Sequence, residues 1–234
     1  MSPEKAERPQ VAEGITFKLE ACYDIFVILN GWNNESHREM FLKSGPQGSC
    51  SAAMMNALSI LFSIARRCGI PLIVLANLFS RHGGSCSKAM KHGKKTCISA
   101  IGELLSGLVT EDAEDDVGIP MAMGGNFRIR FTGCGPMMVA CGNNSDGLRY
   151  VGAKLAKSNT CAHTMTSIVA DLITLMLGYG IEPDKIIHGL RGISCPAARD
   201  DNSSCLDGIA RAIADHVHSP QLEDVVPDFD GDPP

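Results

Sequence analysis

The sequence predicts an α+β fold of two tandem, pseudo-symmetric domains. Each is expected to be a small antiparallel sheet packed with about three helices around a four-cysteine metal site. Three observations support this prediction. The chain contains an internal repeat, its cysteines recur in step with that repeat, and both copies show the same order of strand and helix patterns. Self-similarity at a fixed offset is typical of repeated structural units.

The repeat covers most of the chain. It is seen in three pairs of aligned segments: 17–31 with 127–143, 48–71 with 159–183, and 83–105 with 192–213. The offset drifts only from 112 to 108 residues along the alignment, as short insertions and deletions in loops would produce. We therefore interpret the chain as two copies of one unit.

Eight of the ten cysteines fall at matching positions in the two copies. Successive members are separated by 27, 35 and 10 residues in the first copy, and by 26, 33 and 9 in the second. The first quartet is Cys22, Cys50, Cys86 and Cys97, and the second is Cys134, Cys161, Cys195 and Cys205. Cys68 and Cys141 have no counterpart, and we read them as core residues, because a free cysteine packs well as a small hydrophobic side chain.

Each copy begins with three short apolar or alternating segments, a pattern typical of strands with one buried face. The segments are 17–20, 25–29 and 39–43 in the first copy, and 127–131, 137–141 and 149–155 in the second. We predict a small antiparallel sheet in each copy.

A long amphipathic helix follows each predicted sheet. Its apolar face carries Met54, Leu58, Leu61 and Ile64 in the first copy, and Met165, Ile168, Leu172 and Leu175 in the second. Ser49 and Thr160 stand at the N-cap positions of these helices.

Glycine and proline mark where these helices end and the next ones begin. Gly69 and Gly180 are expected to end the long helices, and Pro71 and Pro183 to open short second helices. A third helix is predicted to start near Cys97 in the first copy and near Cys205 in the second.

Composition predicts the boundaries between these units. We expect a flexible N-terminal tail at 1–14, a first domain at 15–109 and a second at 125–218. The acidic segment 110–124 lacks apolar periodicity and is predicted to be a linker. The acidic, proline-rich tail 219–234 is predicted to be disordered.

Composition also narrows the class of protein. The net charge of −5 gives no general attraction to nucleic acid, and no apolar run approaches the roughly 18 residues that a membrane span needs. The charged N-terminus shows no apolar signal-peptide core, so a cytoplasmic location is expected. Cysteines in that compartment stay reduced and more often bind metal than form disulfides.

Four cysteines per copy, at loops and helix starts, favour a closed tetrahedral zinc site in each copy and therefore two Zn²⁺ per chain. A helix N-terminus stabilises the thiolate, which is the form that binds metal. Buried core cysteines and two disulfides per copy stay open as alternatives. No C-x-x-C redox motif is present. His163 lies two residues after Cys161, but its counterpart is Ala52, which favours a surface histidine over a ligand.

The second copy resembles the TSCPD domain family, named after its Thr-Ser-Cys-Pro-Asp motif. The resemblance rests on FTGCG (131–135), NTC (159–161), LRGISCP (190–196) and SSCLDGIARAI (203–213), with Leu206 in place of the proline and Asp207 retained. The first copy is similar to the same domain in KKTCISAI (94–101), but Ile98 and Ser99 replace Pro-Asp.

The segments HREMFLKSG (37–45) and ALSILFSIARRCGIP (57–71) resemble regions of class II, adenosylcobalamin-dependent ribonucleotide reductases. This resemblance implies a non-catalytic accessory or binding module that works beside a reductase catalytic subunit. No catalytic residues are assigned, because no nucleophile–base or carboxylate-pair arrangement can be placed.

A weaker resemblance is to iron–sulfur cluster scaffold proteins, in which a Cys-x-Asp element keeps the cluster labile. Cys22-Tyr23-Asp24 is similar to this element, but the second copy has Cys134-Gly135-Pro136 and no carboxylate. An iron–sulfur cluster scaffold or carrier is therefore the alternative function.

A basic loop in the first copy suggests a further site. It carries Arg81, Lys88, Lys91, Lys94 and Lys95, whereas the matching loop of the second copy also contains Asp200 and Asp201. Such a cluster can attract phosphate, a nucleotide, nucleic acid or an acidic partner surface. A stand-alone binder of nucleotides or nucleic acid is the third function left open, and a solvated loop without a ligand is the simpler interpretation.

Overall fold

The computed structural model describes residues 7–21, 24–32, 35–45, 48–82, 89, 93, 95–109, 125–155, 160–198 and 204–218. Within these ranges, side chains are described for all positions except 35, 36, 125–129, 131 and 161. The predicted linker at 110–124 and the predicted tail at 219–234 lie outside the described residues, so both stay predictions.

The described part of the chain is an α+β structure with two small antiparallel sheets and six helices. Its first half contains β1 (Glu13–Glu20), β2 (Asp24–Trp32), β3 (Glu35–Ser44), α1 (Cys50–Arg67), α2 (Leu72–Arg81) and α3 (Cys97–Gly107). Its second half contains β4 (Gly125–Thr132), β5 (Gly135–Asn144), β6 (Gly147–Leu155), α4 (Cys161–Gly178), α5 (Pro183–Leu190) and α6 (Cys205–His218). All the strands and helices predicted from the sequence are present, and the strands are longer than predicted.

Each sheet is a meander in which the middle strand pairs with both neighbours. The strand orders are β1-β2-β3 and β4-β5-β6, with antiparallel pairing throughout. Side chains alternate along the middle strands, so that Val27 and Val139 are buried while Phe26 and Met138 stay exposed. One face of each sheet therefore packs on helices, as period-2 apolar patterning dictates.

The long helices begin and end where the local sequence predicted. Ser49 and Thr160 cap α1 and α4, because their hydroxyls accept hydrogen bonds from the amides of Ala52 and His163. Past the C-termini, Gly69 and Gly180 adopt φ values of +92° and +76°. These are left-handed conformations that glycine adopts without a steric penalty, so each helix stops there.

The long helices also form hydrogen bonds with the edge strands of the sheets. The amides of Met40 and Leu42 in β3 donate to the hydroxyls of Ser63 and Ser59 on α1, at 3.1 and 2.8 Å. In the second half, the buried Thr174 hydroxyl of α4 accepts from the amide of Val151 and donates to its carbonyl, both at 3.0 Å. An edge strand would otherwise leave these backbone groups unpaired.

The two halves pack against each other through the long helices. α1 contacts α4 and α5, and one continuous cluster of buried apolar side chains includes residues from both halves. Gly189 in α5 makes this close approach possible, since an added Cβ would lie only 3.1 Å from the side chains of Ile60 and Ile64. A contact of 2.6 Å between Nε2 of His82, at the C-terminal end of α2, and the carboxylate of Asp171 joins α2 to α4.

Part of the segment predicted as a flexible N-terminal tail, 1–14, contacts the fold. β1 begins at Glu13, two residues before the predicted boundary. Arg8 lies 3.0 Å from the buried carboxylate of Glu39 and stacks over the ring of Phe41. The buried carboxylate needs a cationic partner, and the sequence alone did not show that Glu39 is buried.

Cys68 and Cys141, the two cysteines outside the repeat, are buried with 7% and 2% of their surface exposed, which confirms their assignment to the core. Among the described residues, no helix is long and apolar enough to cross a membrane.

Replacing Thr174 by Val should destabilise the protein by about 1–3 kcal/mol, because the buried amide of Val151 then has no hydrogen-bond partner. Thr166→Val is the matched control on the same helix. Thr166 is equally buried, but its hydroxyl only supplements a helical carbonyl, that of Ala162. Its loss should cost less than about 1 kcal/mol. Urea unfolding of both variants measures the difference, and equal losses would contradict the proposed role of Thr174 at the strand edge.

Candidate metal centre

Three cysteine thiols converge at the boundary between the two halves. The Sγ atoms of Cys50, Cys134 and Cys195 all lie within 4.8 Å of one another, and those of Cys50 and Cys134 are 3.6 Å apart. We call this group the cysteine cluster. Its members come from the start of α1, the turn between β4 and β5, and the loop before α6.

Cys50 is fixed by the N-terminus of α1. Ser49 caps the helix, and the preceding Gly48 has a φ of +77°, which suits the turn that leads from β3 into the helix. The Cys50 side chain therefore sits in the first turn of the helix. It is half-buried, between solvent and the second half.

Cys134 is held by a tight turn. The hydroxyl of Thr132 donates to the carbonyl of Gly135 at 2.7 Å and accepts from the amide of Cys134 at 3.3 Å. Gly135 has a φ of +112°, a conformation that side-chain-bearing residues rarely adopt. This turn directs Cys134 toward the cluster.

Cys195 lies in a loop that packs directly on this turn. A Cβ added to Gly133 would lie 1.8 Å from the carbonyl oxygen of Ala197, so only glycine permits this approach. The loop is closed on itself by a hydrogen bond from the amide of Ala198 to the carbonyl of Cys195, at 2.9 Å. The contact at Gly133 thus brings the Cys134 turn and the Cys195 loop together.

The same loop is tied to α6 by the residues around Cys205. The Ser204 hydroxyl donates to the carbonyl of Ile193 and accepts from the amide of Asp207. One oxygen of the Asp207 carboxylate accepts from the amide of Gly192 at 3.1 Å, and the other accepts from Arg211 at 2.7 Å. The Ser-Cys-x-Asp element therefore fixes the position of the loop as well as starting the helix.

Cys205 lies beside the cluster in the protein interior. It is only 2% exposed, its sulfur is 3.4 Å from the Thr132 hydroxyl oxygen, and it shares a hydrogen bond with Cys134. It is outside the group of three sulfurs that all lie within 4.8 Å of one another, but it is a neighbour of Cys134.

Interactions between neighbouring thiols shift the pKa values of Cys134 and Cys205 in opposite directions. Hydrogen bonding with Cys134, assisted by the Thr132 hydroxyl, lowers the pKa of Cys205 to about 7. The same contact with Cys205, together with burial, raises the pKa of Cys134. Burial and the neighbouring Cys50 also raise the pKa of Cys195. A thiolate therefore forms most readily at Cys205, and several thiolates together need a cation to compensate their charge.

The donor set fits a zinc ion. A tetrahedral Zn²⁺ with Zn–S bonds of about 2.3 Å places its sulfur ligands about 3.8 Å apart. The 3.6 Å separation of the Cys50 and Cys134 sulfurs agrees with that distance. Soft thiolates from rigid turns and helix starts are ligands that zinc and iron–sulfur clusters both accept.

The structure groups the predicted ligands differently from the sequence. Cys50 was predicted to belong to a quartet of the first copy, yet its sulfur lies with those of Cys134 and Cys195 from the second. The repeat shows which cysteines correspond, but it cannot show that α1 packs against the other half.

Other predicted ligands are only partly described. Cys22, Cys86 and the side chain of Cys161 lie outside the described part, and Cys97 is buried at the start of α3 with 3% exposed. A metal site in the first copy therefore stays a prediction. His163 is partly buried, and its Nδ1 lies 3.1 Å from the carbonyl oxygen of Leu155. This contact engages one ring nitrogen, and the absence of a ligand role for His163 stays a prediction.

The basic loop is also incompletely described. Lys88, Lys91 and Lys94 lie outside the described residues. Arg81 is exposed at the end of α2, and Lys95 forms an exposed ion pair with Glu103 on α3. Binding of phosphate, a nucleotide, nucleic acid or an acidic partner at this loop stays a prediction.

Sequence reasoning did not identify the residues that support the cysteines. Thr132, Gly133 and Asp207 hold the turn, the loop and α6 together, and all three lie within the quoted segments FTGCG and SSCLDGIARAI. Their proximity to the cysteines in the sequence was the available signal. Their roles become clear only when the turn and the loop are seen in contact.

Clustered thiols in this α+β fold define a protein with a candidate metal-binding site. Residues 120–217 match the model of the TSCPD domain family, so the second half of the chain contains a TSCPD domain. The match covers Cys134, Cys195 and Cys205, whereas Cys50 comes from outside it. No curated protein and no solved structure matches the chain.

Replacing Gly133 by Ala should separate the Cys134 turn from the Cys195 loop, because the new methyl group would overlap the Ala197 carbonyl. We expect a fall in melting temperature of several degrees or more and faster alkylation of Cys195 by iodoacetamide. Gly178→Ala, in α4, is the control, since an added Cβ there meets no atom within 4 Å. Its melting temperature should be unchanged or slightly raised. An unaffected Gly133→Ala variant would contradict this account of the cluster.

Proposed function

We propose that this protein is a zinc-binding, non-catalytic module that works beside a class II, adenosylcobalamin-dependent ribonucleotide reductase. The observation that supports it most directly is the convergence of the three sulfurs of Cys50, Cys134 and Cys195 within 4.8 Å. The zinc ion has a structural role in this proposal, supplying folding free energy and no chemical step.

The surroundings of the cluster favour a closed structural site. Zinc sites that do chemistry keep an open position for water, whereas structural sites use four protein ligands. Here a fourth thiol, that of Cys205, is buried next to Cys134 and is 2% exposed. The abundance of sulfur and the burial of Cys205 support a stable ion that is not exchanged.

The repeat supports a second zinc site and a second TSCPD-like domain in the first half. Both halves show the same order of three strands and three helices in their described parts. Equivalent hydrogen bonds recur at an offset of 111 residues, from Ser63 to Met40 and from Thr174 to Val151. Two Zn²⁺ per chain is therefore our expected stoichiometry.

The association with a reductase rests on sequence resemblance. The segments 37–45 and 57–71 carry it, and in the structure they form much of β3 and of α1. These elements pack on each other, so the two resembling segments belong to one structural unit. This unit supports the proposal of an accessory or binding role.

An iron–sulfur scaffold or carrier is the competing function, since cysteine thiolates also hold such clusters. In the Cys-x-Asp element that suggested it, Asp24 is an exposed residue in an ion pair with Lys18, at 3.1 Å. Metal analysis decides between the two functions.

Protein purified without chelators should contain about two zinc ions per chain and little iron, since two matched quartets of thiolates are present. Inductively coupled plasma mass spectrometry measures both metals. A brown protein containing iron and sulfide would favour the scaffold function, and a protein without either metal would refute metal binding.

A matched pair of variants links the zinc to the cluster. Cys205 and Cys141 are both 2% exposed, but only Cys205 contacts the cluster. Cys205→Ser should lose about one zinc ion per chain, whereas Cys141→Ser should retain the parental content, because three thiolates hold a structural ion poorly. Equal zinc content in the two variants would remove Cys205 from the site.

The proposed association predicts that the zinc-loaded protein forms a complex with the adenosylcobalamin-dependent reductase catalytic subunit of the same organism. Analytical size-exclusion chromatography of the two purified proteins should show co-elution at micromolar concentrations. Chelator-treated protein is the control and should co-elute less, because loss of the ion loosens the fold. If the zinc-loaded protein elutes separately even at high concentration, the association is refuted while zinc binding is not.

A further inference from the structure

We infer that the metal ion is shared between the two halves of the chain: Cys50 from the first half completes a tetrathiolate site with Cys134, Cys195 and Cys205 from the second. This assignment rests on the proposed metal binding and adds that the ion holds the two halves of the chain together. The ion attaches the start of α1 to the TSCPD domain.

The geometry of Cys50 carries the inference. Its sulfur is 3.6 Å from that of Cys134 and within 4.8 Å of that of Cys195. The position of Cys50 is set by the capped N-terminus of α1, and α1 itself is held against the second half by the close contact at Gly189. Helix packing therefore places Cys50 beside Cys134 and Cys195.

Cys205 is the natural fourth ligand. The Thr132 hydroxyl oxygen is 3.4 Å from the Cys205 sulfur and accepts a hydrogen bond from the Cys134 backbone amide, so it lies next to both residues. The Cys205 and Cys134 thiols are close enough for each to shift the pKa of the other. Binding of a metal would replace the hydrogen bonds among the thiols with metal–sulfur bonds. Cys205 then needs only to approach the other three sulfurs, from a buried position where water does not compete for it.

A groove near the cluster indicates why a metal ion would stabilise the contact between the two halves there. A groove of about 550 Å³ runs between the first turns of α1 and the loop before α6. Small residues line most of it, among them Gly48, Ser49, Ala52, Gly192 and Ser194. Small residues each bury little apolar area, and Ile60 and Ile193 are the large aliphatic side chains in the lining, so hydrophobic packing is limited along this groove. Metal–thiolate bonds would supply the missing attachment.

The shared site makes one prediction that a site within the second copy does not. The sequence-based quartet contains Cys161, whereas the shared site contains Cys50, and the other three ligands are identical. Under the sequence-based assignment, Cys50→Ser and Cys161→Ser each lose one ligand, from different sites, so a zinc content reduced in both variants would not show which site Cys50 serves. A local readout at Cys134 and Cys195 is needed.

The test compares zinc-loaded, full-length Cys50→Ser and Cys161→Ser proteins by pulsed iodoacetamide alkylation and peptide mass spectrometry. Zinc-bound thiolates are protected from alkylation, so Cys134 and Cys195 should react about tenfold faster or more in Cys50→Ser than in the parent. In Cys161→Ser they should stay as protected as in the parent. Deprotection by Cys161→Ser alone would overturn the shared site in favour of the sequence-based quartet. A parent protein without bound metal would instead refute the proposed function.

A second measurement on the parent chain serves if the Cys50→Ser variant does not fold. After zinc removal, the diazene oxidant diamide should join Cys50 to Cys134. The two thiols then lose two hydrogen atoms to the diazene, which becomes a hydrazine, and one S–S bond forms. Mass spectrometry should find the linked peptides in the chelated protein and at least about tenfold less in the zinc-loaded protein, whose thiolates are occupied. Absence of the Cys50–Cys134 link in the chelated protein would overturn the inference.

Discussion

The packing of α1 is the constraint on which the rest of the structure depends. This helix binds the edge of its own sheet through Ser59 and Ser63, and it packs against α4 and α5 of the other half. Its first residue, Cys50, is thereby placed among the thiols of the second half. This one helix thus hydrogen-bonds to the edge strand of a sheet, packs against the other half and contributes Cys50 to the cysteine cluster.

In the second half, hydrogen bonds and one close backbone contact hold the segments that carry the cysteines. The Cys134 turn, the Cys195 loop and the start of α6 are connected by hydrogen bonds through Thr132, Ser204 and Asp207. Gly133 allows the turn and the loop to touch. Each connection is local and satisfies buried polar groups, so the turn, the loop and the start of α6 are held in fixed relative positions. Such positioning would lower the conformational entropy lost if the four thiolates bound one ion, as proposed.

The shared site proposed above would account for four of the ten cysteines of the chain. The halves share one apolar core, but the groove near Cys50 is lined mostly by small and polar side chains, with Ile60 and Ile193 among them. A metal ion at this point would hold the halves together where the hydrophobic effect is weak. The same arrangement would make the contact between the halves depend on metal supply and on the redox state of the thiols.

Much of the fold could be predicted from the sequence because its determinants are local. Period-2 and helical apolar patterns predicted the strands and helices, and Ser49, Thr160, Gly69 and Gly180 predicted where the long helices begin and end. The motifs of the second copy predicted the TSCPD domain. The sequence also identified Cys50, Cys134, Cys195 and Cys205 as candidate ligands, since thiols at helix starts and tight turns are suited to metals.

Only the tertiary structure decided which of these thiols meet. A repeat relates Cys50 to Cys161 by position, and it cannot distinguish a helix that packs within its own copy from one that packs on the other. That choice depends on long-range contacts, such as the approach of Gly189 to Ile60 and Ile64, which leave no periodic signal in the sequence. The sequence by itself determined the elements and the chemical character of the ligands. The packing of α1 across the two halves decided which thiols lie together.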